Sequence, residues 1–160
     1  MLSIILNHLQ YNAWANNKLI DFVSQLDRSL LEQEVKSSFP SLCKTIQHTA
    51  NAQEVWLSRL QDAPLLTWPG DTNGENAMEK WRKSSADFVT HFQHQTSEYV
   101  TRLIEYKTIK GETFATRAGE IALHVVNHST FHRGQMITIL RKLGQENLPA
   151  TDFIFYTRTR

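Results

Sequence analysis

The chain has 160 residues, 41% hydrophobic and 21% charged, the balance of an ordinary globular protein with room for a real core. A formal net charge of +1, with basic residues scattered rather than striped, excludes a bulk electrostatic partner such as DNA or an anionic membrane surface. The single cysteine, Cys43, excludes an internal disulfide and fits a reducing compartment, and no apolar run approaches membrane-spanning length. Met1–Leu6 lacks a basic region and a long apolar stretch, so a secretory signal is not expected and the cytoplasm is.

Helical periodicity sets the organisation. Ile5, Leu9, Ala13, Leu19, Ile20 and Val23 predict a first helix from about Ser3 to Gln25. Pro40 followed by Ser41 is a start signal for a second, running to about Leu60. Pro64, Trp68-Pro69-Gly70 and Asn73-Gly74 make a loop rich in helix breakers. A third helix is expected from about Glu75 to Tyr106, carrying Met78, Trp81, Phe88, Phe92, Tyr99 and Leu103 on one side, with Thr72 and Glu75 as its capping box. Tyr106–Phe114 alternates around Gly111 and reads as a short irregular or hairpin-like link. The fourth helix, about Arg117 to Leu143, stops at Gly144, and the tail around Thr151–Tyr156 is expected to fold back over the rest. Four amphipathic helices without a convincing set of strands predict an all-α four-helix bundle, with residues 1–160 forming one domain.

The fourth helix carries the chemistry. His128 and His132 are four residues apart, which stacks their imidazoles on one face. With His128 at the origin of a helical wheel, Ile121 and Ile139 fall near +20°, His132 near +40°, and Val125 and Leu143 near +60°. Two imidazoles in the middle of an apolar stripe need partners, which either a divalent cation or hydrogen bonds would supply. Ser129 stands where a zincin has its glutamate, so neither the metalloprotease nor the di-iron carboxylate pattern is present. His124 lies at the edge of the stripe, either touching a ligand of the cation or shuttling a proton, or as an ordinary edge residue.

His124-Val125-Val126-Asn127-His128-Ser129-Thr130-Phe131-His132-Arg133-Gly134-Gln135 resembles the last-helix signature of the DinB-like (damage-inducible, YfiT-related) family. Tyr11-Asn12-Ala13-Trp14-Ala15-Asn16 is similar to that family's first-helix motif, Ile46-Gln47-His48 with Trp56–Leu60 to its second helix, and Leu148–Phe153 to its tail. The resemblance implies a four-helix bundle, usually dimeric, with one divalent metal held by three histidines. Carried over by position these are His48, His128 and His132. His48 enters only through the resemblance: the main apolar stripe of helix two is Leu42, Ile46, Gln53, Trp56, Leu57 and Leu60, and His48 lies to one side near Thr45, Ala52 and Val55. Either that helix is buried on two sides or His48 reaches in from a flank. Gln53 and Glu54 stand where the family often has an acid, and neither is assigned a role.

Three imidazoles leave a coordination position open, which permits thiol transfer or hydrolysis through a thiol or water of lowered pKa. The expected cofactor is one divalent transition metal, zinc or nickel first, with iron, cobalt or copper also suited to the donor set. The expected function is a metal-dependent S-transferase or hydrolase acting on a small molecule, with a low-molecular-weight thiol as partner; a non-catalytic, stress-associated metal-binding protein is the alternative. Ala122, Leu123, Val126, Ile137 and Leu140 form a second apolar face on helix four, which suggests either a central position or a homodimer interface. Asn12 and Asn16 sit on the apolar stripe of helix one, with a structural contact favoured over contact with a metal ligand. Arg133 and Arg141 point away from the histidines and are expected in solvent or between subunits. His91 and His94 are expected in solvent, and Cys43 in the core.

Overall fold

Local capping chemistry starts the helices. In the computed structural model, which describes residues 1–63, 67–108 and 110–159, the Ser41 hydroxyl accepts from the Lys44 amide at 3.2 Å and opens α3, Leu42–Leu60. Asn73 does the same for α4, Gly74–Gln93, accepting from the Asn76 amide at 2.9 Å. The expected Thr72–Glu75 box is therefore not the cap; the Thr72 carbonyl instead accepts from Gln47 Nε2 at 2.9 Å. Before these lie α1, Leu2–Val23, and a single-turn α2, Arg28–Glu32. The last long helix is α5, Ala118–Lys142, whose first turn is held by the Arg117 amide donating to Glu120 Oε2 at 3.1 Å. It ends just before Gly144, whose φ of +76° is the left-handed conformation that suits glycine.

The third helix is shorter than its periodicity suggests. It ends at Gln93, and Leu103–Lys107 forms β1, antiparallel to β2, Thr113–Arg117. The register pairs Leu103 with Arg117 and Lys107 with Thr113 around a turn containing Gly111 at φ +83°. Tyr99 and Leu103 are four apart and so extend a helical stripe on paper. The burial is instead strand-like: Ile104 is buried, while its neighbour Leu103 is exposed. The hairpin-like link expected at Tyr106–Phe114 is thus a true hairpin, longer by several residues on each side. Pro64, cited among the helix breakers, lies outside the described residues.

α1, α3, α4 and α5 form the four-helix bundle, and a short α6, Phe153–Thr157, returns over α1. Tyr11 donates to the Thr151 carbonyl at 2.9 Å and meets Phe153 edge-on, so the tail folds back as expected. Among the described residues the bundle has two apolar cores. One gathers Ile5, Leu9, Phe88, Phe92, Ile121 and Val125; the other Leu19, Leu42, Ile46, Trp81, Met136 and Ile139. On every long helix the residues between the two cores are buried and polar: Asn12 and Asn16 on α1, Gln53 on α3, Ser84 and Ser85 on α4, Ser129 and Arg133 on α5.

This layer is fully wired. Ser84 and Ser85 both donate to Gln53 Oε1, and Gln53 Nε2 donates to Ser129 at 3.0 Å. Asn16 Nδ2 donates to Ser85 at 2.9 Å while its oxygen accepts from Arg133. Arg133 is not a surface residue, as its position on the wheel suggested. Its Nη1 donates to Asn12 at 2.7 Å and Asn16 at 2.6 Å, and its Nη2 to Thr130 at 2.8 Å and the Tyr11 hydroxyl at 3.2 Å. Buried polar groups are tolerated when each finds a partner, and here the partners come from four helices.

Ala122, Val126 and Leu140, three residues of the proposed subunit face, are buried within the chain itself. The two-faced character of α5 thus follows from its central position. Leu123 and Phe131 do stay exposed.

Candidate metal centre

The polar layer and the histidines share one level of the bundle, because His128 immediately precedes Ser129 and His132 immediately precedes Arg133 in sequence. The 3.6-residue repeat turns the first pair to one side of α5 and the second pair to another. His48 comes from α3, which is buried almost all round: Thr45, Gln47, Thr49, Asn51, Ala52 and Val55 are covered as well as the main stripe. The helix is therefore buried on two sides, and this second side brings in His48.

The three rings converge through the same nitrogen. His128 Nε2 lies 3.0 Å from His132 Nε2 and 3.3 Å from His48 Nε2, and the three donor atoms lie within 4.8 Å of one another. Two imidazole nitrogens bound to one ion at about 2.0–2.1 Å, at tetrahedral or octahedral angles, sit roughly 2.9–3.4 Å apart. The two short separations are of that size. His132 is buried, while His48 and His128 are half-buried, so the group is open on one side.

The protonation pattern suits a cation. Gln135 Oε1 only accepts, so at 2.7 Å it fixes the proton of His132 on Nδ1 and leaves Nε2 with a bare lone pair. Gln135 is itself oriented by donating from Nε2 to Ser38 at 3.0 Å. Burial, with His132 beside it, pushes His48 down to about 4. Burial and the neighbouring His132, His48 and His124 push His128 down to about 3. His132 is also lowered by burial, against the Gln135 bond, which acts the other way. Near neutral pH the rings are therefore uncharged and present lone pairs, the form that binds metal.

Aromatic rings wall the group. Phe39 stacks on His48 at 4.5 Å between centroids, and Trp68 stacks on it at 5.6 Å. Phe39 also approaches His132 at 5.8 Å. These rings fix His48 and reduce the access of water.

A family model described as the DinB family matches residues 1–160. The chain belongs to the DinB family. It is 26% identical over 164 residues to Protein DinB of Bacillus subtilis, covering 94% of this chain and 93% of that one. Its fold is similar to a DinB-like protein from Bacillus cereus, with a TM-score of 0.69 at 23% identity over 91% of this chain and 94% of the other. A DinB-like protein from Bacillus subtilis gives a TM-score of 0.65 at 13% identity, covering 94% and 96% of the two chains. These likenesses agree with the mostly helical bundle described above.

The remaining histidines stay outside the group. His124 is exposed, 5.1 Å from the Trp56 ring and 5.7 Å from His128. His91 is half-buried rather than in solvent, within 2.8 Å of the Tyr99 hydroxyl, which donates to the Leu60 carbonyl. His94 is exposed as expected. Gln53 belongs to the polar layer, and Glu54 pairs with Lys80 on the next helix. Asn12 and Asn16 serve Arg133, the structural role favoured for them. Cys43 is buried and its thiol is pushed up to about 12, chiefly by burial and by Glu32. Sequence reasoning gave no role to Gln135, Phe39 or Trp68. Gln135 was within reach, since a side chain three residues after a helical histidine lies beside it.

Proposed function

We propose that this DinB-family chain is an enzyme in which His48, His128 and His132 hold one divalent transition metal and leave a coordination position open for thiol transfer or hydrolysis. The observation that carries the reading is the convergence of three Nε2 atoms, with separations of 3.0 and 3.3 Å, around the tautomer that Gln135 imposes. Zinc or nickel fits three neutral imidazoles, and iron, cobalt or copper is accommodated by the same donors. A cation held there supplies Lewis acidity that favours the anionic form of a bound thiol or water. The chain's own residues do the rest: the histidines orient the site, Gln135 keeps the His132 lone pair inward, and Phe39 and Trp68 shield one side.

In this reading the 160 residues act as one domain in the cytoplasm. A single buried thiol suits a reducing compartment, and among the described residues no helix is long and apolar enough to cross a membrane. Exposed Leu123 and Phe131 are the residues through which a homodimer would form.

The test is elemental analysis of protein purified without a histidine tag or nickel column. One ion per chain is expected in the wild type and none in His128→Ala or His132→Ala, with the helical circular dichroism of both variants retained. Equal metal content in the variants and the wild type overturns the assignment. Turnover of a panel of electrophiles with glutathione, lost on stripping the metal, is expected of the enzyme; stoichiometric metal without turnover marks a non-catalytic metal-binding protein.

A further inference from the structure

The side of α3 that brings in His48 continues past it. His48, Ala52, Val55 and Arg59 follow one another at intervals of four, three and four residues and so form one stripe. At 1.5 Å per residue, Arg59 stands roughly 16 Å from His48 along the axis. Beside this stripe runs a groove of about 420 Å³, walled by Val55, Trp56 and Trp68 and bounded at the far end by Lys110 and Glu112 of the hairpin. Trp68 stands between the groove and the metal centre, because its ring lines the groove and also stacks on His48. Its length and apolar walls suit an extended molecule whose reacting end lies at the histidines.

Arg59 gives the far end its chemistry. Its guanidinium lies 4.4 Å from the Trp56 ring centre and 4.5 Å from that of Tyr106, in the corner where these two rings meet edge-on. Its Nη2 donates to the Lys107 carbonyl at 3.3 Å. Among the described residues no carboxylate lies within ion-pair distance of it. A guanidinium so oriented, with its charge unneutralised, offers in-plane donors to a planar anion. Lys110 adds a second cation and Glu112 one opposing carboxylate, so cations outnumber anions two to one among the charged groups of the groove.

We propose that the groove binds the tail of the substrate that reacts at the three-histidine centre, and that Arg59, with help from Lys110, selects a tail ending in a carboxylate. The proposal rests on the metal reading above and adds a specificity residue and a substrate class to it: an extended, largely apolar molecule with an acid about one groove-length from its reacting atom.

The experiment uses the full chain loaded with cobalt(II), whose thiolate-to-metal charge-transfer band reports binding at the open position. Mercaptooctanoate and its methyl ester are titrated against wild type and Arg59→Met, with mercaptoacetate and its ester as a pair too short to span the groove. Wild type is expected to bind the long acid about tenfold more tightly than its ester. That ratio is expected to fall to about one in Arg59→Met, and the short pair to show no dependence on Arg59. Lys110→Met is expected to lower the ratio and Glu112→Gln to raise it; both residues are exposed, so these variants test the groove even if Arg59→Met melts. Equal affinity for long acid and long ester in wild type, or a ratio unchanged in Arg59→Met, overturns the groove assignment while leaving the metal centre intact. Failure of cobalt to bind overturns the metal reading and this proposal with it, whereas cobalt that binds while no thiol produces the band overturns this proposal and leaves the metal centre intact.

Discussion

One turn of α5 serves two nitrogen clusters of opposite character. On one side Arg133 is a buried cation whose terminal nitrogens meet four oxygens, from Asn12, Asn16, Tyr11 and Thr130. On the other side His48, His128 and His132 turn three Nε2 atoms towards one another. The first cluster contains both a cation and its acceptors; the second contains donors of lone pairs with their charge suppressed by burial. A structural polar layer and a candidate metal centre thus occupy the same level of one bundle and differ in where positive charge comes from. In the first, the positive charge is encoded in the chain. In the second, none is built in, and on the proposed reading a metal ion supplies it.

The sharpest way to break the closed cluster is Arg133→Met. It leaves the oxygens of Asn12 and Asn16 buried without donors, each orphan costing about 1–3 kcal/mol, so a loss of about 3–5 kcal/mol is expected in urea unfolding. Relief of the guanidinium's own desolvation offsets part of the cost and limits the loss. His128→Ala in the metal-free protein is expected to cost far less, because it removes a ring that burial and its neighbours hold in an unfavourable setting. If the two variants melt alike in the absence of metal, the distinction between the clusters fails.

Acid separates them next. The pKa values of His48 and His128 fall from an ordinary 6.5 to about 4 and about 3. Between these limits the unfolded chain binds more protons than the folded one, so stability falls as pH falls. For the metal-free protein, the contribution of the neutral rings is complete above about pH 6.5 and is lost progressively as pH drops through 4 and 3. Melting temperature measured from pH 7 to pH 3 is expected to decline, and the decline to be shallower in a His48→Gln/His128→Gln double variant. An identical slope in the two proteins would show that other groups carry the acid sensitivity.

Much of this was legible beforehand, and each exception has its own physical cause. Periodicity located all four bundle helices, and the i, i+4 spacing singled out His128 and His132, because both are local properties of one helix. Arg133 was misplaced because a helical wheel sends charge to solvent; its acceptors Asn12 and Asn16 lie more than a hundred residues away and are joined to it only by folding. His48 was reached by resemblance alone, since a helix buried on two sides has no single stripe to reveal which flank faces the site. The end of the third helix was missed because Tyr99 and Leu103 satisfy the helical repeat although the segment alternates as a strand.

The finest test lies in the connection from His132 to Gln135 to Ser38, which holds one lone pair of the open cluster in place. Gln135→Leu removes the acceptor that keeps the His132 proton on Nδ1. The ring then populates the other tautomer, and metal affinity is expected to fall roughly 10–100-fold, as for other outer partners of ligating histidines. Gln135→Glu keeps the acceptor and adds a negative charge, so affinity is expected to hold or rise. Ser38 acts one step further out by accepting from the Gln135 amide, and that contact is exposed. Ser38→Ala is therefore expected to weaken affinity by only about 2–3-fold, near the lower end of what a single hydrogen bond contributes. A competitive chelator titration resolves the series. The order Gln135→Leu, then Ser38→Ala, then wild type is what a tautomer lock requires. A larger loss from Ser38→Ala than from Gln135→Leu would mean that Ser38 acts on the site by some route other than the histidine proton.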